Sequence, residues 1–232
     1  YKLPFRAGHG DNLALVSQSG AYLVTFTSNF DGVIEPRASI RFGNQMDMMV
    51  EMHCLWNLPS AIRIARSVET LDPYWFEDPV PMDNIDAVAQ FKNSTHIPTT
   101  ASETMATRWA FRELFEKRAV TVCMFDISWV GGVSEAKRIS TMAEAYHLPV
   151  APHDCVGPVT LMCSVHLSVN APNALIQETV RAYNATWYKD IATVLPRIEG
   201  GYAYAPGGIG IGMELKSSLL KGKKMKSRVS EV

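Results

Sequence analysis

Six polar residues able to do chemistry recur along this chain at almost constant intervals, each near the carboxyl end of a short apolar run. They are Glu51, Glu77, Glu103, Asp126, His153 and Glu178, separated by 26, 26, 23, 27 and 25 residues. The runs are Met46–Met52, Tyr74–Phe76, Pro98–Ala101, Val120–Ile127, Leu148–Pro152 and Ala174–Gln177. Between them, helical periodicity predicts helices near 58–70, 84–94, 105–118, 133–146 and 158–169. Asn57 is a candidate cap with Pro59 in the first turn. Ser134 opens a segment whose Ala136, Ile139, Met142 and Ala143 form an apolar stripe. Strands alternating with helices of this length make repeated βα units around a parallel sheet. A doubly wound open sheet gathers its site at one switch point and does not need six successive strands to contribute. A TIM-type (β/α) barrel opens every strand's carboxyl end on one face, so the spacing predicts an α/β barrel over residues 46–214.

The first 45 residues are less regular and read as irregular or truncated first barrel units. Leu13–Val16 and Tyr22–Thr27 are strand candidates, but too few residues separate them for a parallel crossover. Either they pair as a hairpin or one of them is not a strand. Residues 215–232, with Lys221, Lys223, Lys224, Lys226 and Arg228, read as a solvated, flexible basic tail. The chain starts at Tyr1 without a signal-peptide layout and reads as a fragment or internal segment.

A net charge of -1 offers no basic field for nucleic acid, and no apolar run is long enough to span a bilayer. Cys54, Cys123, Cys155 and Cys163 lack CxxC spacing, so free thiols in a reducing cytoplasm are expected rather than disulfides or a zinc site. The expected partners are a small molecule and further copies of the chain as a homo-oligomer, with neither nucleic acid nor a membrane.

Three carboxylates from adjacent strand ends form a hard, all-oxygen pocket suited to Mg²⁺. A single glutamate in such a place is more often paired with a neighbouring Lys or Arg, but three at 26-residue intervals point to Glu51, Glu77 and Glu103 as metal ligands. Like charges that close call for a cation. Asp126, on the preceding strand, is placed to hydrogen-bond one ring nitrogen of His153, fixing its tautomer for work as a general base. On an extended strand Glu51 and His53 point to the same side, so His53 reaches the metal from the other flank. His9, His96, His147 and His166 receive no role. Gly207, Gly208, Gly210 and Gly212 read as a turn rather than a nucleotide loop.

These residues fall in longer motifs: Val50-Glu51-Met52-His53, Trp75-Phe76-Glu77-Asp78-Pro79 and Ala101-Ser102-Glu103. Phe125-Asp126 with Trp129-Val130-Gly131-Gly132, Ala151-Pro152-His153-Asp154 and Ile176-Gln177-Glu178 continue the series. Together they resemble the enolase superfamily, in its mandelate racemase/muconate lactonizing enzyme-like barrel domain. The His two residues after the first ligand is similar to galactonate dehydratase-like acid-sugar dehydratases.

The resemblance implies a (β/α)7β barrel and a Mg²⁺-dependent hydro-lyase that converts an aldonate or aldarate to a 2-keto-3-deoxy acid. By matching positions, His153 is the base, Asp126 its orienting partner, His53 the acid, and Glu178 a contact to the substrate carboxylate or enediolate oxygen. A racemase, epimerase or cycloisomerase on the same barrel, an inactive barrel fragment, and an unrelated metal hydrolase are the alternatives. Four departures qualify the resemblance. Glu51 stands where Asp is commoner, and Ser102 where Gly is usual. No Lys lies between Lys2 and Lys92, which disfavours racemase or lactonising chemistry. The N-terminal α+β capping domain is expected to be missing, with the barrel incomplete at its N-terminus.

Overall fold

A strand covered on both faces reads as a continuous apolar run, and its alternate side chains serve two different cores. The structure, a computed structural model, describes residues 3–7, 21–25, 47–199 and 201–220. It begins with β1 (Leu3–Ala7) and β2 (Ala21–Thr25). Regular alternation follows in β3 (Asp47–Glu51), α1 (Leu58–Val68), β4 (Trp75–Glu77), α2 (Ile85–Asn93), β5 (Thr99–Ala101) and α3 (Thr107–Glu116). Next come β6 (Val122–Asp126), a short α4 (Ile127–Val130), α5 (Val133–Ala145), β7 (Val150–His153), α6 (Pro158–Asn170) and β8 (Gln177–Thr179). The chain continues through α7 (Arg181–Ala185), α8 (Tyr188–Ile191), a hairpin of β9 (Arg197–Glu199) and β10 (Tyr202–Tyr204), and α9 (Ser217–Leu220).

Strands β2 to β7 form one parallel sheet in sequence order. A parallel bridge between Val150 and Ala174 carries the order toward β8, and β8 pairs in parallel with β1. Sequential, all-parallel order with a helix after most strands is the TIM-type barrel arrangement. The β9–β10 hairpin adds antiparallel to β1.

Local signals explain the helices. Asn57 Oδ1 accepts the Ser60 N–H with Pro59 in the first turn, and Asn84 Oδ1 caps α2 through the Ala87 N–H. Helix α4 was not foreseen: the Asp126 carboxylate ends β6 and at once caps this single turn through the Ser128 N–H. Strand Ala21–Thr25 overlaps the expected Tyr22–Thr27, starting one residue earlier, but pairs in parallel with β3. The Leu13–Val16 candidate, the lysines from Lys221 onward and Arg228 lie outside the described residues. Ser217–Leu220, at the start of the expected tail, is helical.

Alternation divides the core in two. Val50, Phe76, Cys123, Phe125 and Val150 pack under the helices with Phe91, Phe111, Leu114 and Ile139. Their neighbours Met49, Trp75, Val122, Met124 and Ala151 pack together as a separate cluster inside the barrel. Glu51, Glu77, Asp126 and His153 each lie two residues beyond a member of that inner cluster, so the strand period aims them inward as well. Among the described residues no helix is long and apolar enough to cross a membrane.

Phe125 is fully buried and meets the Phe111 ring edge-on at 6.3 Å. Phe125→Ala is expected to destabilise the fold by about 3–5 kcal/mol in urea unfolding. Ile209→Ser, at a fully exposed position, should leave it unchanged. Equal midpoints for the two variants would contradict this division of the core.

Candidate active site

Where the inward-facing positions reach the carboxyl ends of the strands, apolar side chains give way to acids. Glu51 closes β3 and Glu77 closes β4, in register as direct neighbours. Glu103 stands two residues beyond β5, in a turn rather than at the strand end. Each glutamate offers a carboxylate oxygen within 4.8 Å of the others, and all three are buried. Glu51 Oε1 accepts the His53 N–H at 2.5 Å, and Glu77 Oε2 accepts the indole Trp75 N–H at 3.1 Å.

Both expected histidines meet this cluster at Glu103. His153 Nε2 lies 2.6 Å from Glu103 Oε2, and His53 Nε2 lies 3.4 Å from Glu103 Oε1. His153 Nδ1–H donates to Asp126 Oδ2 at 2.7 Å, and the second Asp126 oxygen is held by the Ser128 N–H and hydroxyl. The imidazole is therefore fixed at one nitrogen and aims the other into the acid cluster. His53 arrives differently from the strand-alternation argument. Strand β3 ends at Glu51, and His53 and Cys54 both adopt left-handed backbone, with φ of 53° and 58°. The chain turns there, and a partly exposed His53 swings over Glu103 from the rim. Glu178 sits in the middle of β8, not at its end. Its Oε2 lies 3.7 Å from His153 Nε2 and accepts the Asp154 N–H at 3.1 Å.

Two buried acids beside the site went unassigned in the sequence. Asp78 follows Glu77 and accepts from Ser102 Oγ at 2.9 Å. Asp154 follows His153, and neither of its carboxylate oxygens has a hydrogen-bond partner among the described residues. A lone acid next to a strand-end residue carries no periodic signal. The clue was that each belongs to a run of two polar residues where one suffices for the spacing.

Electrostatics describes a site short of positive charge. Burial, then the charge of Glu77, pushes the Glu51 carboxyl well above the carboxylate range. Burial, then Glu103 and Glu77, pushes Asp78 up to about 8. Burial, then Glu178, raises Asp154. Burial acts the same way on Glu103, but hydrogen bonds from His153 and His53 outweigh it and hold that carboxyl below the usual range. His53 is raised by its hydrogen bond to Glu103. His153 is raised although burial opposes its charge, because Glu178 and Asp126 favour the imidazolium. Three convergent carboxylates, with Glu51 Oε2 buried and without a hydrogen-bond partner among the described residues, fit a hard divalent ion such as Mg²⁺.

These shifts fix the sign of the pH dependence in chelator. The folded-state value of Asp78, about 8, exceeds the ordinary value of about 4, so the folded state binds more protons between the two. Glu51, His53 and His153, all raised, act in the same sense. Stability of the metal-free protein is expected to fall as pH rises from about 5 to above 8. Added Mg²⁺ should remove most of that fall, because it replaces the protons. A melting temperature in EDTA that is flat or rising over that range would contradict the assignment.

Comparison with known proteins agrees with this geometry. Residues 36–219 match the family described as enolase C-terminal domain-like. The D-xylonate dehydratase of Haloferax volcanii is 31% identical over 173 residues, covering 75% of this chain and 42% of that protein. The D-galactonate dehydratase of Ralstonia nicotianae is 28% identical over 225 residues, covering 93% of this chain and 58% of the relative. Among solved structures, an enolase of the mandelate racemase subgroup from Agrobacterium tumefaciens, containing a succinimide residue, sodium and phosphate, superposes with a TM-score of 0.74. It is 50% identical, with 77% of this chain and 49% of that one covered. The chain spans about half the length of the relatives it matches. It belongs to the enolase superfamily, as a barrel domain of the mandelate racemase type.

Proposed function

We propose that the chain is the catalytic barrel, over residues 46–214, of a Mg²⁺-dependent acid-sugar dehydratase, a hydro-lyase acting on an aldonate or aldarate. The observation that carries this reading is the convergence of His153, at the end of β7, and His53, in the turn after β3, on one carboxylate of a three-glutamate cluster. It is supported by relatives that are a D-xylonate and a D-galactonate dehydratase. The reading extends to a homo-oligomer working in the cytoplasm on a small-molecule substrate.

Glu51, Glu77 and Glu103 would hold the ion. When bound, Mg²⁺ supplies Lewis-acid chemistry, acidifying the C–H beside the substrate carboxylate. The residues of the chain divide the proton traffic. His153 Nε2 takes the C2 proton while Asp126 retains the Nδ1–H and stabilises the imidazolium that results. His53, on the more open side, protonates the departing 3-hydroxyl so that it leaves as water. Glu178, beside His153, lies against the substrate carboxylate oxygens. The enol product tautomerises to a 2-keto-3-deoxy acid.

The test incubates the protein and Mg²⁺ with a library of aldonates and aldarates and assays for 2-keto acid. On a positive substrate, His53→Asn is expected to reduce dehydration by at least about 100-fold while C2 proton exchange in D₂O persists. His153→Asn should abolish both. Exchange lost together with dehydration in His53→Asn would reverse or void the assignment of acid and base. Racemisation or epimerisation without any keto acid would favour the sister chemistry of the superfamily, and no turnover of any acid would favour an inactive barrel.

A further inference from the structure

The hydrogen-bond ladder that aligns strands β3 to β5 stops before it reaches the third glutamate. Strands β4 and β5 pair at Phe76↔Thr99 and Glu77↔Thr100, with the Asp78 N–H donating to the Thr100 carbonyl at 3.0 Å. Glu103 stands three residues past Thr100, in a turn. Pairing in the sheet therefore fixes Glu51 against Glu77 but does not reach Glu103.

The gap is crossed by side chains. Asp78, the residue after Glu77, accepts from Ser102 Oγ at 2.9 Å, and Ser102 is the residue before Glu103. Ser102 Oγ also accepts the Thr104 N–H at 3.2 Å and lies 3.0 Å from Thr104 Oγ1. On the opposite side, the Asp78 carbonyl accepts the Cys54 N–H at 2.7 Å, and Cys54 Sγ lies 4.0 Å from Thr104 Oγ1. One buried aspartate thus touches the segments that carry all three glutamates. It does so in left-handed backbone, with φ of 43°, a conformation adopted reluctantly by any residue with a Cβ.

We propose that Asp78 and Ser102 are positioning residues for the cation site: their hydrogen bond adds the rung that the sheet lacks and sets the Glu103 carboxylate against Glu77 and Glu51. The proposal rests on the reading of the three glutamates as a cation site. Mg²⁺ demands near-ideal octahedral geometry, so a ligand on an untethered turn binds it poorly. Partners that orient ligands in this way typically contribute about 10–100-fold in metal affinity.

The experiment titrates Mn²⁺ calorimetrically into the metal-free 232-residue chain. Ser102→Ala is expected to raise the Kd about tenfold, while Ser102→Thr, which keeps the hydroxyl, stays within about threefold. The metal-free melting temperature should not follow this order, which separates positioning from a general structural role. A Kd for Ser102→Ala within about twofold of the parent, or equal losses in Ser102→Ala and Ser102→Thr, overturns the proposal. If Ser102→Ala does not fold, the nearly isosteric pair Ser102→Thr and Ser102→Val decides: about a tenfold gap supports it and equal affinities overturn it. A parent chain that binds no Mn²⁺ overturns the cation site itself, and the positioning role with it.

Discussion

Three carboxylates brought within 4.8 Å of one another inside a protein repel strongly, and much of the surrounding structure answers that repulsion. At that distance two ionised groups oppose each other by about 3 kcal/mol even with an effective dielectric of about 20. Three such pairs approach the net stability of a typical domain. The cluster therefore exists only with compensation. Two imidazoles are drawn onto Glu103, and burial with neighbouring charge pushes the Glu51 and Asp78 carboxyls upward.

The barrel makes the cluster possible because it separates the cost of holding charges from the work of folding. The helix-facing half of strands β3 to β7 belongs to a continuous apolar core, with Phe76, Phe125 and Val150 locked against the helices. The inner half is a short apolar plug of Met49, Trp75, Val122, Met124 and Ala151. One step beyond that plug the same inward direction delivers Glu51, Glu77, Asp126 and His153. Their aim is set by residues that have no part in chemistry, and Trp75 serves both roles, since its ring fills the plug while its N–H holds Glu77.

The sequence made the barrel legible through a local property: one βα unit has a nearly fixed length, so strand ends mark themselves at regular intervals. Glu51 and Glu77 lie where that interval puts them. Glu103 and Glu178 keep the interval but miss the strand end, because length counts residues and not hydrogen bonds. The path of His53 was illegible for another reason. Left-handed backbone at His53 and Cys54 has no glycine or asparagine to announce it, and is imposed by contacts from Asp78 and Glu51. The pairing of β1 with β8 and β10 joins the two ends of the chain. No pattern within a short window encodes such a partnership. Asp78 and Asp154 stayed silent because a single polar residue beside a strand-end one is invisible to periodicity.

Under the proposed function, the position of Glu103 couples the ion to the base. His153 Nε2 is the nitrogen that would take the proton, since Nδ1 is held by Asp126, and it lies 2.6 Å from Glu103. The carboxylates that raise His153 are Glu178 and Asp126 with Glu103 beside them, and a divalent ion on Glu103 opposes that field directly. The same ion weakens the hold of Glu103 on His53, which needs its proton to be mobile in order to give it away. One glutamate shared by both histidines therefore ties the proposed acid, the proposed base and the proposed ion to a single carboxylate.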